Sequence, residues 1–408
     1  MFCELLQIAI GNRDRFSQTP TIGEWRELFT LAQKQTLVGI AFRGIEQLPE
    51  EQRPPKALLM QWYMATEHIK RMNADLDSKA LVVAEKFRSE GFPGVVLKGQ
   101  GIAKLYKVSQ STDNSQQLTA NSQQPTANLS AYRTPGDIDI WLFGERKEIL
   151  DYVRRHVPDC KPVYHHVDFP VVEGLDIEVH FTPSWMNSPV TNHRLQRFFK
   201  GYGLRVKSCG AAVNRDCVAG EGLRVNRTEG TLTSSEATIN RSVAVFTRYS
   251  EIPSPNSAFN RVYILVHIYR HLFHEGIGLR QLLDYYFVLC QGCTEEERKE
   301  TMRTLRSLRM QRFAAAVMWV LQQVFGMDDR YLITAPDERE GRFLLSEIML
   351  AGNFGQYDER LQHQRGEGRL HWGLRKMKRN FRFVRSYPSE VLWSPIFKLW
   401  QFFWVKWL

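Results

Sequence analysis

Two stretches of the chain alternate apolar and polar residues with the two-residue period of a half-buried strand. The first follows the turn at Pro135-Gly136 and covers residues 138–142. The second covers residues 175–181, where leucine, isoleucine, valine and phenylalanine occupy alternate positions. We therefore predict two strands, each with one face in a core and one polar face.

A third apolar stretch, residues 94–97, predicts a short buried strand that ends in a glycine-rich turn at residues 98–101. After the turn, Ile102, Leu105 and Tyr106 have the spacing of one helix face. A strand-to-helix turn with glycines lets backbone N–H groups approach a phosphate, and the lysine in this turn adds positive charge.

Two carboxylates stand at the head of the first alternating strand. Asp137 and Asp139 are two residues apart, so they share a face and form an oxygen site for a divalent cation. The same Asp-x-Asp pattern also occurs in solvated loops and half-exposed strands. On the second strand Asp176, Glu178 and His180 share the polar face, and we predict Glu178, with Asp176 second, as a third acid. Three such acids can hold two metal ions for phosphoryl or nucleotidyl transfer.

These segments together resemble the uncharacterised nucleotidyltransferases of the DNA polymerase β superfamily. The family pattern is an apolar strand ending in Leu-Lys-Gly, a helix, Arg-x-x-Gly-Asp-Ile-Asp, and a later acid-x-His strand. The matching segments here are Leu97-Lys98-Gly99, Arg133 to Asp139, and Glu178-Val179-His180. The resemblance implies that Asp137 and Asp139 bind Mg²⁺ (or Mn²⁺), and that Glu178 is the third catalytic and metal-binding acid.

The resemblance also implies a set of nucleotide-binding residues. Lys98, Gly99 and Gly101 of the turn, together with Arg133, would neutralise and hold the triphosphate. One departure concerns the turn, because better-studied superfamily members carry Gly-Ser there and residues 98–101 contain no serine.

The resemblance extends into a helical region at residues 259–289, which carries His267, His271 and His274 on one face. Two interpretations are open for these histidines: a zinc site, or helix-packing and substrate-facing side chains. The second is favoured because no Glu-x-x-His partner or cysteine set accompanies them.

Arg280 and Asp284 are four residues apart on the next predicted helix, a spacing that allows a mutual ion pair. The alternative is that Arg280 faces the cleft and binds the triphosphate, and its position near the core of the resemblance favours this.

Two polar segments interrupt these patterns. Residues 108–132 contain a direct duplication, at 114–120 and 121–127, and too little apolar content to offset the entropy of ordering. We predict a mobile insertion here, with a lid over the site as the alternative. Residues 201–255, rich in Gly, Ser, Thr and Asn, are predicted to be an irregular insertion or linker.

Composition places the chain among ordinary soluble proteins, with 43% apolar and 24% charged residues in 408 positions. Six cysteines without a secretory signal are expected to be reduced, and Cys290-Gln-Gly-Cys293 has no second pair for a metal site. The first ten residues lack a basic leader, so we predict a cytoplasmic location.

The formal charge of +10 is concentrated in residues 373–408, which hold eight Lys or Arg, one Glu and many aromatic residues. Three interpretations are open for this tail: packing on the protein, contact with nucleic acid or another polyanion, and contact with a membrane surface. Residues 393–408 are too short and too often interrupted by polar residues to span a bilayer.

The combined prediction is an α+β protein with a small mixed β-sheet between N-terminal and C-terminal helical domains. The predicted divisions are a helical region at 1–88, a nucleotidyltransferase core at 89–200 containing the insertion 108–132, the linker at 201–255, and a helical domain at 256–408. Its predicted activity is metal-dependent transfer of a nucleoside monophosphate from a nucleoside triphosphate to an acceptor hydroxyl. The alternatives are a catalytically inactive nucleotide- or partner-binding protein, and a nucleic-acid-binding module that uses the basic tail.

Overall fold

A small mixed sheet and a large set of helices make up the computed structural model, which describes residues 1–109, 126–172, 174–208, 218–219, 251–360 and 369–406. This is the predicted α+β fold, in which the sheet lies between N-terminal and C-terminal helices.

The helices are α1 (Phe2–Ala9), α2 (Ile22–Lys34), α3 (Val38–Gln47), α4 (Lys56–Ser89), α5 (Gln100–Ala103), α6 (Arg146–His156), α7 (Pro189–Ser208), α8 (Ser257–His274), α9 (Leu279–Leu289), α10 (Glu295–Ser307), α11 (Gln311–Phe325), α12 (Glu338–Ala351), α13 (Arg369–Phe381) and α14 (Pro388–Lys406). The strands are β1 (Gly94–Val96), β2 (Lys107–Ser109), β3 (Thr126–Asn128), β4 (Ile138–Leu142), β5 (His166–Asp168), β6 (Ile177–His180), β7 (Val218–Ala219) and β8 (Ser254–Pro255).

The central sheet has the strand order β1-β4-β6-β5. Strands β4 and β6 are parallel, whereas β1 and β5 each pair antiparallel with their neighbour. The apolar face of β4 and β6 packs in one core with α4 and α6. The alternation in the sequence predicts this burial correctly, because the face that lacks polar side chains is the one that gains by leaving water.

The helix after the glycine-rich turn is shorter than its apolar spacing predicts. Helix α5 ends at Ala103, and Leu105 and Tyr106 then form tight turns before β2 begins at Lys107. The prediction of a helix through Tyr106 is therefore wrong, because pairing of β2 with β3 draws the chain out of the helix.

The two polar segments are described only in part. The ends of the segment 108–132 form the β2–β3 ribbon and a 3-10 turn, while residues 110–125, with most of the duplication, lie outside the described residues. Helix α7 continues to Ser208, so residues 201–208 are helical, and most of the remainder of 201–255 also lies outside the described residues.

The basic aromatic tail forms helices α13 and α14. The inner face of α14 packs on the protein, where Phe397 stacks on Trp185 with ring centroids 6.1 Å apart. Large apolar side chains cover its outer face: Leu392, Trp393, Ile396, Leu399, Trp400, Phe402 and Phe403. Within the described parts of the chain, no helix is both long enough and apolar enough to cross a membrane.

We predict that the docking of α14 depends on pH through Glu390. This carboxyl is buried, accepts a hydrogen bond from the backbone N–H of Asn187 at 2.8 Å, and has its pKa raised by burial to about 7 from an ordinary 4.5. Folding therefore favours the protonated form, and its stabilising effect is complete below the ordinary pKa and lost as the pH rises through the folded value. The effect amounts to about 3 kcal/mol.

The measurement is urea unfolding at about pH 5 and about pH 8. The wild type should have the lower free energy of unfolding at the higher pH, and Glu390→Gln should remove most of that difference. Glu338→Gln is the control, because Glu338 is exposed in its pair with Arg342. Equal pH dependence in both variants would contradict the prediction.

Candidate active site

The three predicted acids line one cavity of about 980 Å³, a volume typical of small-molecule sites. The register of β4 and β6 sets Asp139 opposite Glu178, and Asp137 precedes β4 by one residue. All three side chains therefore lie on the polar face of the sheet. Asp139 lies deepest, with 2% of its side chain exposed against 36% for Asp137 and 28% for Glu178. Asp176, the second choice, is exposed at the cavity edge.

Lys98 lies between the two aspartates. Its Nζ is 3.0 Å from Asp139 Oδ2 and 3.4 Å from Asp137 Oδ2. Burial alone would lower the pKa of the ammonium, but the three carboxylates outweigh burial and raise the pKa above its ordinary value. The lysine is therefore permanently charged at neutral pH and contributes a fixed cation to the cavity.

Two histidines connect the acids, and sequence reasoning assigned a role to neither. His180 Nε2 is 3.0 Å from Asp139 Oδ1 and 3.2 Å from Glu178 Oε2, and His166 Nδ1 is 3.1 Å from the same Glu178 oxygen. Burial would raise the pKa of Glu178, but these histidines lower it to about 2. The Glu178 carboxylate is therefore ionised, and the two histidines hold it in position.

The sequence pattern could have predicted the position of His180 but not that of His166. The alternation in residues 175–181 puts His180 on the polar face, next to Glu178. His166 belongs to the three-residue strand β5, which is too short to show a period, and only its pairing with β6 brings it to the acids.

Arg133 is buried and forms a bidentate ion pair with Asp284, with Nε 2.7 Å from Oδ1 and Nη2 2.8 Å from Oδ2. The hydroxyl of Tyr106 also donates to Asp284, at 2.6 Å. Arg133 is not among the residues that line the 980 Å³ cavity. It lines a small pocket that shares Lys98 and Asp137 with that cavity, and its charge is already balanced by Asp284. The ion pair predicted between Arg280 and Asp284 is replaced by this one, because the tertiary contact reaches the carboxylate with two parallel hydrogen bonds.

Arg280 lies in the cavity wall, as one of its two interpretations predicts. Its Nη1 donates to the backbone carbonyl of Thr134 at 2.9 Å, next to the turn that carries Asp137. Burial lowers the pKa of Arg280, and the charge of Arg133 lowers it further, while Asp284 acts in the opposite direction. This guanidinium is still positively charged at neutral pH.

The two glycines of the turn have different surroundings. Gly99 has a φ of +57°, which favours glycine, and lies beside Asp137. A Cβ on Gly101 would meet the carbonyl oxygen of Val96 at 2.2 Å, so this glycine allows α5 to pack closely on β1.

Helix α8 forms the opposite wall of the cavity. His267, His271 and His274 line it, together with Arg270, whose guanidinium lies 3.7 Å above the ring of Trp185. Among the residues that the structure describes, Arg270 has no acidic partner within ion-pair distance. Its position leaves a charged group available to an anion in the cavity.

Three groups of side chains in the described part of the protein bring metal-binding atoms within 4.8 Å of one another. They are Asp139, Glu178 and His180; His165, His166 and His180; and His166, Asp168 and Glu178. Neither Asp137 nor any of the three histidines of α8 belongs to one of these groups.

A family model described as an uncharacterised nucleotidyltransferase matches residues 23–111 and 224–326. The matched stretches include Lys98 and Arg280, while the three acids lie in the interval between them. Searches of curated proteins and of solved structures found no match to this chain.

Proposed function

We propose that this protein is a metal-dependent nucleotidyltransferase that moves a nucleoside monophosphate from a nucleoside triphosphate to an acceptor hydroxyl. The observation that carries the proposal is that Asp137 and Asp139 from one segment and Glu178 from another line one cavity that also holds several cations. The match to a family model described as nucleotidyltransferase supports the same reaction.

Asp137, Asp139 and Glu178 would hold Mg²⁺ or Mn²⁺, which prefer carboxylate oxygens. The fit is supported by Asp139 Oδ2, a buried oxygen whose ion-pair partner within the described residues is the ammonium of Lys98, at 3.0 Å. When bound, the metal would neutralise the triphosphate and favour departure of pyrophosphate.

The residues of the chain have separate tasks in this proposal. Lys98, Arg280 and Arg270 supply positive charge to the triphosphate and to the charge that develops on the leaving group. His180 keeps Asp139 and Glu178 in a fixed orientation through its contacts at 3.0 and 3.2 Å. Arg133, paired with Asp284, would position the turn before β4 through its contact with the backbone carbonyl of Thr134.

In the reaction, the acceptor oxygen forms a bond to the α-phosphorus while the bond from that phosphorus to the bridging oxygen breaks. Pyrophosphate carries away the electron pair of the broken bond, and the acceptor proton passes to solvent. Positioning and charge stabilisation supply most of the catalysis in such phosphoryl transfers.

The test is pyrophosphate release by the purified protein with each nucleoside triphosphate, Mg²⁺ and a cell extract as a source of acceptors. Incubation with an α-labelled nucleotide should transfer label to one class of molecule, which identifies the acceptor. No labelled product and no pyrophosphate with any nucleotide would overturn the proposal.

The second candidate is a nucleotide-binding protein that no longer turns over. The contact of Lys98 with both aspartates favours it, because the ammonium already balances charge that a metal would otherwise balance. Isothermal titration separates the two: nucleotide binding without product formation supports the inactive protein, and product formation excludes it.

We also propose that the outer face of α14 contacts an anionic membrane surface. The seven exposed apolar side chains of this face include four aromatic residues, and exposed cations of the neighbouring segment, Lys378, Arg382 and Arg385, complement acidic headgroups. The exposed face between residues 391 and 403 carries no charge, which favours a bilayer over a polyanion.

Vesicle co-sedimentation tests this contact. The protein should bind vesicles that contain phosphatidylserine and should bind neutral vesicles more weakly, while Leu399→Glu should reduce binding to both. Leu350→Glu is the control, since Leu350 is an exposed leucine on α12. Equal binding by both variants, or none by the wild type, would contradict the proposal.

A further inference from the structure

Three histidines and one glutamate form a continuous cluster on strands β5 and β6, beside the site of the predicted acids. We call His165, His166, His180 and Glu178 the histidine cluster. His165 Nε2 is 3.0 Å from His166 Nδ1, which is 3.1 Å from Glu178 Oε2, and that oxygen is 3.2 Å from His180 Nε2.

These separations are those of neighbouring ligands around one ion. Ligands bound at about 2.1 Å in tetrahedral or octahedral geometry lie about 3.0 to 3.4 Å from one another. One nitrogen from each of the three histidines lies within 4.8 Å of the other two, so a small movement of the rings encloses a metal. The Glu178 oxygen, close to two of them, is positioned as a fourth ligand.

Hydrogen bonds do not account for every close contact of the cluster. One N–H on His180 Nε2 can be shared between Glu178 and Asp139, which lie 3.2 and 3.0 Å away. His166 Nδ1, however, is close to both His165 Nε2 and Glu178 Oε2. If Nδ1 donates to the carboxylate, it cannot also accept a proton from His165.

We propose that the histidine cluster is a binding site for a divalent metal of the zinc class, distinct from the carboxylate site proposed for Mg²⁺. The three imidazoles select Zn²⁺, and Co²⁺ as its spectroscopic substitute, because imidazole is a poor ligand for Mg²⁺ and a good one for the later transition metals. Glu178 belongs to both sites and would link them. The proposal concerns metal binding and does not depend on catalytic turnover.

The experiment is titration of ZnCl₂ into the full chain after treatment with a chelator, followed by isothermal calorimetry. We expect one high-affinity Zn²⁺ per chain, and Co²⁺ at the same site should show visible absorption of a four-coordinate ion. His166→Gln should raise the Zn²⁺ dissociation constant by about 100-fold or more, because loss of even an outer partner of a ligand costs about 10- to 100-fold.

His274→Gln is the matched control, because His274 is a half-buried histidine of the same cavity that lies outside the cluster. It should bind Zn²⁺ with the affinity of the wild type. His180→Gln provides a second test, and circular dichroism verifies that both cluster variants are folded. Absence of high-affinity binding in the wild type, or unchanged affinity in folded His166→Gln, would overturn the site.

Measurement of pyrophosphate release in the same preparations separates this inference from the proposed function. Zn²⁺ binding without pyrophosphate release upholds the metal site while the transferase proposal fails. Pyrophosphate release with Mg²⁺ and no high-affinity Zn²⁺ binding overturns the metal site while the transferase proposal stands.

Discussion

Replacement of Asp139 by asparagine is expected to reduce Mg²⁺-dependent pyrophosphate release by at least about 100-fold, which corresponds to about 2.7 kcal/mol of transition-state stabilisation. Asp139 is the deepest of the three acids, and its Oδ2 accepts no hydrogen bond within the described part of the chain. Asparagine keeps the shape of the side chain but removes the charge that would attract the metal. Initial rates of pyrophosphate release at saturating nucleotide measure the effect.

The matched control is Asp176→Asn. Asp176 lies at the edge of the same cavity but belongs to none of the groups whose ligand atoms converge. Asp176→Asn should release pyrophosphate at the rate of the wild type. A thermal unfolding curve for Asp139→Asn verifies that this variant is folded, so that its lower rate does not come from unfolding. If the two variants lose activity equally, the assignment of Asp139 is wrong.

Replacement of Asp284 by asparagine should lower the free energy of unfolding by about 3 to 5 kcal/mol, the usual cost of removing one partner from a buried ion pair. Arg133 is almost completely buried, and its hydrogen bonds at 2.7 and 2.8 Å go to this carboxylate. The variant would leave Arg133 with a buried charge that asparagine balances only in part. The buried charge of Arg280 would also lose its favourable partner.

Urea unfolding followed by circular dichroism measures this change. Asp328→Asn is the control, because Asp328 pairs with Arg330 where both side chains are more than half exposed. Such a pair is worth about 0 to 1 kcal/mol. If Asp284→Asn lowers the free energy of unfolding by less than about 1 kcal/mol, the ion pair between Arg133 and Asp284 does not stabilise the contact between the segment before β4 and helix α9.

The pH dependence of the Arg133 pair has a defined sign. Burial would raise the pKa of Asp284, but Arg133 and the neighbouring donors lower it below the ordinary value of 3.8. The stabilisation is therefore complete above that ordinary value and is lost as the pH falls through the folded pKa. We expect this pair to contribute to unfolding in acid, in contrast to Glu390, whose effect lies at higher pH.

Local patterns predicted the strands well. The alternation at 138–142 matches β4 residue for residue, and the one at 175–181 contains β6. This succeeds because each strand must put one face in the core, and the period of two is visible along the chain. Helix α4 is equally evident in the sequence, since prolines precede its first residue and the helical spacing of apolar residues continues to Ser89.

Contacts between residues that are distant in the sequence were harder to predict. The spacing of Arg280 and Asp284 suggested one ion pair, whereas the fold joins Asp284 to Arg133, 151 residues earlier. The length of α5 also depended on a distant partner, because β3 pairs with the residues that follow this helix. In both cases a tertiary interaction outweighed a local preference, which is worth only a few tenths of a kcal/mol.

The sequence by itself determined which residues are candidates for the chemistry: two aspartates and a glutamate on the polar faces of two strands, a lysine in a glycine-rich turn, and a tail of basic and aromatic residues. The spacing of apolar residues and the position of each charge depend only on the order of residues along the chain, so both can be predicted without the fold. Only the tertiary structure decided which cations lie beside which acids, and it brought His166 against Glu178 and His165 against His166. Strand pairing sets those distances, and the register of β5 on β6 depends on the packing of the whole sheet rather than on the three residues of the strand.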